Sequence, residues 1–282
     1  MSGIVWLASY PKSGNTWLRA FLANYTSGGD EAFDINRLPS FSFADMRAEP
    51  YERISGRPAS SLTGADFNRL RPQVHRHFAK ARAGPVFVKT HSVLALMGNV
   101  PTITPDVTAG AVYVVRNPLD VAVSYAAHNA LSIDTAIDLV CLESFRVPPG
   151  DGQVPQFIGD WSAHVRSWRH VRGLPKVVLR YEDMVAHPAT AFESVIAFLK
   201  LPRDRRKLKR AIRNSAFPTL AAQEATAGFR ERPPPAERFF RSGRSGGWRD
   251  ALTDEQAARI LDRHRPMMIE LGYLSPSGAL LV

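Results

Sequence analysis

Four short polar clusters carry side chains that can bind an anion or move a proton, and each directly follows a short apolar run. The clusters are Lys12-Ser13-Gly14, Lys89-Thr90-His91, Arg116-Asn117-Pro118 and Tyr181-Glu182-Asp183. Short continuous apolar runs are typical of buried parallel strands. Ligands bind beyond the carboxyl ends of the strands in an open parallel sheet. We therefore expect the four clusters to meet at one sheet edge and to form one site.

The first cluster has the composition of an anion-binding loop. Gly14 allows the backbone to approach a ligand closely, and the amides of residues 13–17 would open a helix whose dipole favours negative charge. Lys12 adds a point charge, and the hydroxyls of Ser13 and Thr16 add donors. The pattern predicts a phosphate-binding loop, and the structural alternative is a polar turn that only begins a helix.

This loop differs from the Walker A motif, because Lys12 precedes the only glycine instead of following a second one. No aspartate closes an apolar strand in the position that would hold magnesium. Such a loop suits a transferred group with less charge than a γ-phosphate, and sulfuryl is one. Its transfer, like phosphoryl transfer, needs an in-line nucleophile and positive donors around the oxygens.

The elements that must position these clusters alternate between strand and helix. Strands are predicted at 4–9, 86–91, 111–115 and 176–180, and helices at 17–25, 64–83, 118–127, 157–171, 189–199, 203–215 and 253–271. Alternation of this kind implies right-handed crossovers. We predict an α/β fold with a P-loop-like parallel sheet, helices on both faces and a single domain over residues 1–282. The least patterned segments, 30–82, 130–160 and 220–240, are expected to form the acceptor walls.

Composition narrows the class of protein. The 282 residues are 45% hydrophobic and 22% charged, which excludes a disordered or collagen-like chain. The net charge of +10 suggests an anionic partner, although 29 arginines against 7 lysines is a ratio that a GC-rich genome also produces. A single cysteine, Cys141, allows no intrachain disulfide, and no apolar run reaches the length of a membrane span. We expect a soluble, cytoplasmic protein.

In combination, the clusters resemble the motifs of the PAPS-dependent sulfotransferases. Residues 10–17, Y-P-K-S-G-N-T-W, are similar to the 5′-phosphosulfate loop Y-P-K-S-G-T-T-W, with Asn15 as the one change. Residues 116–124 resemble the 3′-phosphate segment R-N-P-x-D-x-x-V-S, and residues 241–249 resemble the closing R-K-G-x-x-G-D-W-K. K-T-H at 89–91 and Y-E-D-M at 181–184 match two further motifs. The matches follow the family order over nearly the whole chain.

The resemblance implies catalytic roles for four residues. His91 is the expected general base, a task for which a near-neutral pKa is suited. Lys12 is expected to neutralise charge on the departing PAP, and Lys89, on the same strand face as His91, to contact the sulfuryl oxygens. Ser124 is expected to bind the 3′-phosphate and to draw Lys12 away before an acceptor arrives. A lone histidine after a strand otherwise has a structural role, and His128 is assigned no function.

The resemblance also implies PAPS and PAP as ligands, with no metal. Trp17 and Phe217 would flank the adenine, although each is equally compatible with core packing. Ser242 stands where the family has a lysine, so that Arg244 is the expected replacement. The implied nucleotide-binding residues are Lys12, Ser13, Gly14, Asn15, Thr16, Trp17, Arg116, Ser124, Tyr181, Ser215, Phe217, Arg241, Ser242, Gly243 and Arg244.

The acceptor and the rival functions stay open at this point. A hydroxyl of a small molecule, glycan, lipid or peptide is the expected acceptor, and an amine is less favoured. A P-loop-type nucleotide kinase and a basic nucleic-acid-binding protein are the alternatives, although no nucleic-acid partner is expected. The family's dimer motif K-x-x-x-T-V is absent after Trp248, so no oligomeric state is predicted.

Overall fold

A five-stranded parallel sheet forms the centre of the protein in a computed structural model that describes residues 3–281. Residues 1–2 and 282 of the predicted domain lie outside the described residues. The strands are β1 (Gly3–Ser9), β2 (Phe43–Ala44), β3 (Pro85–Thr90), β4 (Thr108–Val115) and β5 (Lys176–Arg180). Their order across the sheet is β2-β3-β1-β4-β5. The α/β prediction with a parallel sheet is therefore confirmed.

Helices connect the strands and cover both faces of the sheet. They are α1 (Asn15–Ser27), α2 (Leu38–Phe41), α3 (Glu49–Ser55), α4 (Gly64–Ala79), α5 (Pro118–Asn129), α6 (Ile133–Cys141), α7 (Trp161–His170), α8 (Tyr181–Ala186), α9 (Pro188–Phe198), α10 (Arg205–Asn214), α11 (Phe217–Ala227) and α12 (Asp254–Glu270). Two short antiparallel ladders join Leu96–Met97 to Val100–Pro101 and Arg146–Val147 to Gln156–Phe157. Of the helices in the described part of the chain, none is long and apolar enough to cross a membrane.

Strand β1 explains why the sheet has a core on each face. Its residues from Ile4 to Ser9 are fully buried, which accounts for an unbroken apolar run. Because side chains alternate along a strand, Trp6 packs in one core and Leu7 in the other. The second core includes Phe21 of α1, stacked on Phe192 of α9.

The register brings the polar clusters to one edge. Strand β1 pairs in parallel with β3 and with β4, and β4 pairs with β5 through Val115 opposite Arg180. The carboxyl ends of these four strands therefore point the same way. Each of the four ends continues directly into one of the polar clusters.

Several elements differ from the sequence prediction. Helices α2, α3, α6, α8 and α11 form where no helix was predicted, and the helix expected at 157–171 begins at Trp161. It begins there because Asp160 caps it, accepting a hydrogen bond from the Ala163 amide at 2.6 Å, while Phe157 belongs to a ladder. The short edge strand β2 was also not predicted, since two residues carry no periodicity.

Candidate active site

The loop between β1 and α1 has a left-handed backbone conformation at two positions. Lys12 and Gly14 both have positive φ, 66° and 107°, and Gly14 directly precedes α1. A Cβ at Gly14 would lie 2.7 Å from Cδ2 of Tyr181, so the position requires glycine. The Ser13 hydroxyl is buried and has no hydrogen-bond partner among the described residues. The loop therefore presents the donor set that an anion needs.

The side chain of Asn15 bonds to the strand behind the loop. Its amide donates to the carbonyl of Leu7 at 2.7 Å, which ties the start of α1 to β1. Thr16 is also buried, at 8% exposure. Asn15 thus supports the loop from behind, and the contact of its side chain with a nucleotide stays a prediction.

Lys12 extends into a partly apolar environment. Its Nζ donates to Nδ1 of His128 at 2.9 Å and lies 4.5 Å from the ring centre of Phe239. Burial, followed by the charges of Lys89 and Arg116, lowers the pKa of Lys12 to about 7. Burial and nearby lysines lower the pKa of His128 to about 3, so its imidazole is neutral and can accept this bond.

His91 follows β3 and is held in one tautomer. Its Nδ1 lies 2.8 Å from the carbonyl oxygen of Ser9, which can only accept, so Nδ1 carries the proton. Nε2 therefore keeps its lone pair. Burial, and then the charge of Lys89, holds the pKa of His91 well below its usual range. A neutral imidazole with a free Nε2 can act as a general base.

Arg116 connects three of the clusters. Its guanidinium donates to the carbonyl of Lys12 at 3.3 Å and to the carbonyl of Arg244 at 3.0 Å, and it lies 4.3 Å from the ring centre of Tyr181. It is 9% exposed, and its Nε is buried without a partner among the described residues. A cation in this position can both organise the loops and bind an anion.

The closing segment 241–249 is anchored by Asp120 of α5. The two carboxylate oxygens accept from the amides of Gly246 at 2.8 Å and Trp248 at 3.1 Å. Sequence reasoning gave Asp120 no role, although it is the acidic residue of the motif at 116–124. The sequence feature that could have identified Asp120 is its position four residues after Arg116.

Aromatic side chains surround the expected adenine position. The Trp17 ring is half-buried and meets Tyr181 edge to face, with centroids 5.7 Å apart. Phe217 contacts Gly243 so closely that a Cβ there would lie 2.2 Å from Phe217 Cγ. Gly243, with a φ of 63°, therefore brings the closing segment against Phe217.

The remaining residues predicted to bind the nucleotide lie at the edge of the site or make other contacts. Ser215 is fully buried and donates to the carbonyl of Ala211 at 2.7 Å, so its hydroxyl completes the end of α10. Arg241 and Ser242 are exposed. The Arg244 guanidinium pairs with Asp250 at 3.0 Å, and its backbone rather than its side chain contacts Arg116. Their roles toward a nucleotide stay predictions.

Comparison with known proteins identifies the family. The sulfotransferase domain family matches residues 3–272. The chain belongs to the sulfotransferase family. Sulfotransferase 1A1 of Canis lupus familiaris is 27% identical over 263 residues, covering 90% of this chain and 79% of that protein. Flavonol 3-sulfotransferase of Flaveria bidentis is 24% identical over 275 residues, covering 91% and 78%.

Solved structures of other sulfotransferase-like proteins share the fold. Mouse sulfotransferase SULT7A1 complexed with PAP has a TM-score of 0.63 at 18% identity, over 94% of this chain and 84% of that one. Retinol dehydratase in a complex with retinol and PAP has a TM-score of 0.66 at 18% identity, over 95% and 82%. Family membership confirms the prediction of a PAPS-dependent sulfotransferase.

Two residues of this sulfotransferase, one in contact with Lys12 and one with Lys89, were not predicted from the sequence. His128 lies one turn beyond Ser124 on α5, a spacing that places both on one helix face. Glu231 pairs with Lys89 from a segment without regular structure, and no local pattern indicated it. In residues 3–281, no group of three or more histidine, cysteine or acidic side chains is arranged to hold a metal ion.

The pKa of Lys12 leads to a testable pH dependence. The ammonium form predominates below about pH 7 and is lost above it, so PAP affinity should fall as the pH rises from 7 to 9. The expected fall is up to about tenfold per pH unit, and the phosphates of PAP, with second pKa values near about 6, stay ionised over this range.

Calorimetric titration with PAP at pH 7, 8 and 9 would measure this dependence. Lys12→Met should bind PAP more weakly at pH 7 and show a much shallower slope. Lys80→Met removes an exposed lysine and serves as the matched control. Equal slopes in Lys12→Met and the wild-type protein would show that Lys12 is not the titrating group.

Proposed function

We propose that this sulfotransferase transfers a sulfuryl group from PAPS to a hydroxyl acceptor and releases PAP, with His91 as the base and Lys12 at the leaving group. One observation carries the proposal. The ends of β1, β3 and β4 bring Lys12, His91 and Arg116 together, linked through the carbonyls of Ser9 and Lys12. An anion loop, a neutral base and a buried cation are the groups that this reaction requires.

The residues of the loop fit the phosphate groups of such a nucleotide. Ser13 Oγ and Arg116 Nε are buried polar atoms without partners among the described residues, and the cradle at Gly14 would be filled by a Cβ. Unsatisfied buried donors of this kind are costly unless a ligand satisfies them. The 5′ end would be held by the loop from Lys12 to Thr16, and the 3′-phosphate by Arg116, Ser124 and the closing segment.

Each catalytic residue has a definite task in the proposed reaction. PAPS, when bound, supplies the sulfuryl group. His91 Nε2 takes the proton of the acceptor hydroxyl, because Nδ1 is already protonated and bonded to Ser9. Lys12 neutralises the charge that develops on the leaving oxygen, and for this it must release His128. Lys89 stabilises the sulfuryl oxygens as an ammonium.

The acceptor is proposed to be the hydroxyl of a small molecule with an apolar ring. Phe229, Phe239 and Phe240 pack against one another, and Phe239 lies against Lys12. This aromatic group lies next to Lys12, close to the reacting centre. The flavonol 3-sulfotransferase among the relatives supports the same class. Glycan, lipid and peptide hydroxyls, or an amine, are the competing classes in an acceptor screen.

The wider assignments follow from the same proposal. We propose that residues 1–282 act as one sulfotransferase domain, which the family match over 3–272 supports. A cytoplasmic location is supported by the single cysteine and by a relative named cytosolic sulfotransferase 17 of Arabidopsis thaliana. The positive charge is proposed to serve an anionic nucleotide rather than a nucleic acid.

Calorimetric binding of PAP, ADP and 5′-AMP, with magnesium and with EDTA, tests the function. PAP should bind at least about tenfold more tightly than 5′-AMP, since its 3′-phosphate adds charge-assisted hydrogen bonds. Magnesium should not change the result. Equal affinities for PAP and 5′-AMP, or binding that requires magnesium, would contradict the proposal and favour a nucleotide kinase.

A further inference from the structure

The carboxylate of Glu231 is buried against two cations that come from distant parts of the chain. Its two oxygens lie 2.7 Å from Nη1 and 2.8 Å from Nη2 of Arg19, which is a bidentate ion pair. One of these oxygens also lies 3.4 Å from Nζ of Lys89. The Glu231 side chain is 12% exposed and that of Arg19 is 1% exposed. Bidentate pairs excluded from water are strong and directional.

Arg19 is fixed independently of Glu231. It belongs to α1, and its Nε donates to the hydroxyl of Ser42 at 2.8 Å. Arg19 therefore fixes the position of Glu231 and its segment, and Arg19 does not need Glu231 to be fixed in place. Residues 228–240, which we call the bridging segment, join α11 to the closing segment and form no helix or strand.

The bridging segment is attached at its other end by different contacts. The amides of Phe239 and Phe240 donate to the carboxylate of Glu224 at 2.8 and 2.9 Å. Beyond them, the carbonyl of Arg244 accepts from Arg116. Glu231 thus ties the bridging segment to the side of β3, next to Asn36, whose side chain bonds the backbone of Gly228 and Arg230. Arg116 holds the closing segment on the side of β4.

The charge of Glu231 opposes the other influences on the pKa of Lys89. Burial lowers the pKa of Lys89, and Arg19 and Arg47 lower it further, whereas Glu231 raises it. Other charged or titratable groups that face this cluster are Lys12 of the loop, His91 at the end of β3, His128 of α5 and Asp45 beyond β2. In this crowded positive environment, Glu231 is the carboxylate in hydrogen-bond reach of Lys89.

We propose that Glu231 is a positioning residue for sulfuryl transfer: its carboxylate fastens the bridging segment to the end of β3 and holds Lys89 in an ion pair beside His91. The inference rests on the proposed function, because it assigns Lys89 to the sulfuryl oxygens. It adds a residue from the least patterned part of the sequence, with a role exerted through Lys89 and the bridging segment.

The substitution Glu231→Gln tests this with two measurements that do not require turnover. In a ¹³C NMR titration of the seven lysines, with Lys89→Met for assignment, the pKa of Lys89 should fall by about one unit or more. Amide hydrogen exchange of residues 229–238 should become about tenfold faster or more. Glu237→Gln, an exposed carboxylate in the same segment, should change neither.

Turnover supplies the functional readout. At pH 8, Glu231→Gln should lower kcat by about tenfold or more, because Lys89 loses the contact that orients it and favours its charged form, and so stabilises the sulfuryl oxygens less well. Glu231→Asp should recover part of this loss. If the unpaired Arg19 prevents Glu231→Gln from folding, the double variant Arg19→Met and Glu231→Leu removes both charges together. Loss of Arg19 offsets part of the shift at Lys89, so faster exchange of residues 229–238 is then the deciding result.

The outcomes separate this inference from the proposed function. An unchanged Lys89 titration and unchanged exchange in Glu231→Gln would overturn the role of Glu231, whatever the activity. Failure of the wild-type protein to prefer PAP would instead remove the proposed function. The Lys89 titration and the exchange rates would still decide whether Glu231 holds the segment and the charge.

Discussion

His91→Ala is expected to lower kcat by about 10²- to 10⁴-fold, the range for loss of a general base. Nε2 of His91 is unprotonated because Nδ1 donates to the carbonyl of Ser9, and the pKa of His91 lies well below its usual range. Removing the imidazole therefore removes a base that is ready at neutral pH. The rate would be measured with PAPS and the best acceptor of a phenol and flavonol panel.

Binding measurements show whether such a loss is catalytic. PAP affinity of His91→Ala should stay within about threefold of the wild-type value, since His91 is expected to contact the acceptor rather than the nucleotide. His187→Ala removes an exposed histidine after α8 and should leave kcat unchanged. Near-wild-type turnover in His91→Ala would exclude His91 as the base.

Arg116→Ala is expected to weaken PAP binding by about 30- to 1,000-fold, which corresponds to roughly 2–4 kcal/mol for loss of a buried charged partner. Its guanidinium is 9% exposed and keeps Nε without a partner among the described residues, so a phosphate would complete its hydrogen bonding. Affinity for adenosine 5′-phosphosulfate, which has no 3′-phosphate, should fall far less. Calorimetry with both ligands gives the two ratios.

Comparing PAP with adenosine 5′-phosphosulfate separates the loss of 3′-phosphate recognition from a general disordering of the loops. Arg116 also holds the carbonyls of Lys12 and Arg244, so part of any loss is shared by both nucleotides. The additional loss of affinity for PAP measures the contribution of the contact between Arg116 and the 3′-phosphate. Arg205→Ala, which removes an exposed arginine of α10, controls for net charge. Equal losses for both ligands in Arg116→Ala would refute the assignment.

Much of the fold followed from local patterns. Strand β5 was predicted with its observed bounds, and β1 and β3 with bounds within one residue, because buried parallel strands are short apolar runs. Helix α11 was missed because its moderately apolar sequence, with Pro218 in the first turn, stands beside a proline- and glycine-rich stretch. Helix α6 was missed although Ile133, Ile137 and Val140 recur at helical spacing after the capping Ser132.

The convergence of the polar clusters was also predictable, since parallel strands end at a common edge. What could not be predicted is which side chains meet across the site. Lys12 and His128 are 116 positions apart, and Arg19 and Glu231 are 212 apart. Contacts of this range depend on how α5 and the bridging segment pack, which no local pattern encodes.

The sequence by itself determined the family, the anion loop and the candidate base, because these depend on residue types at fixed short spacings. Only the tertiary structure decided the state of those residues. It lowers the pKa of Lys12 to about 7. It also brings Lys12 into a hydrogen bond with His128 and Lys89 into an ion pair with Glu231. A pKa depends on burial and on charges brought close in space, and both arise only when distant segments pack together.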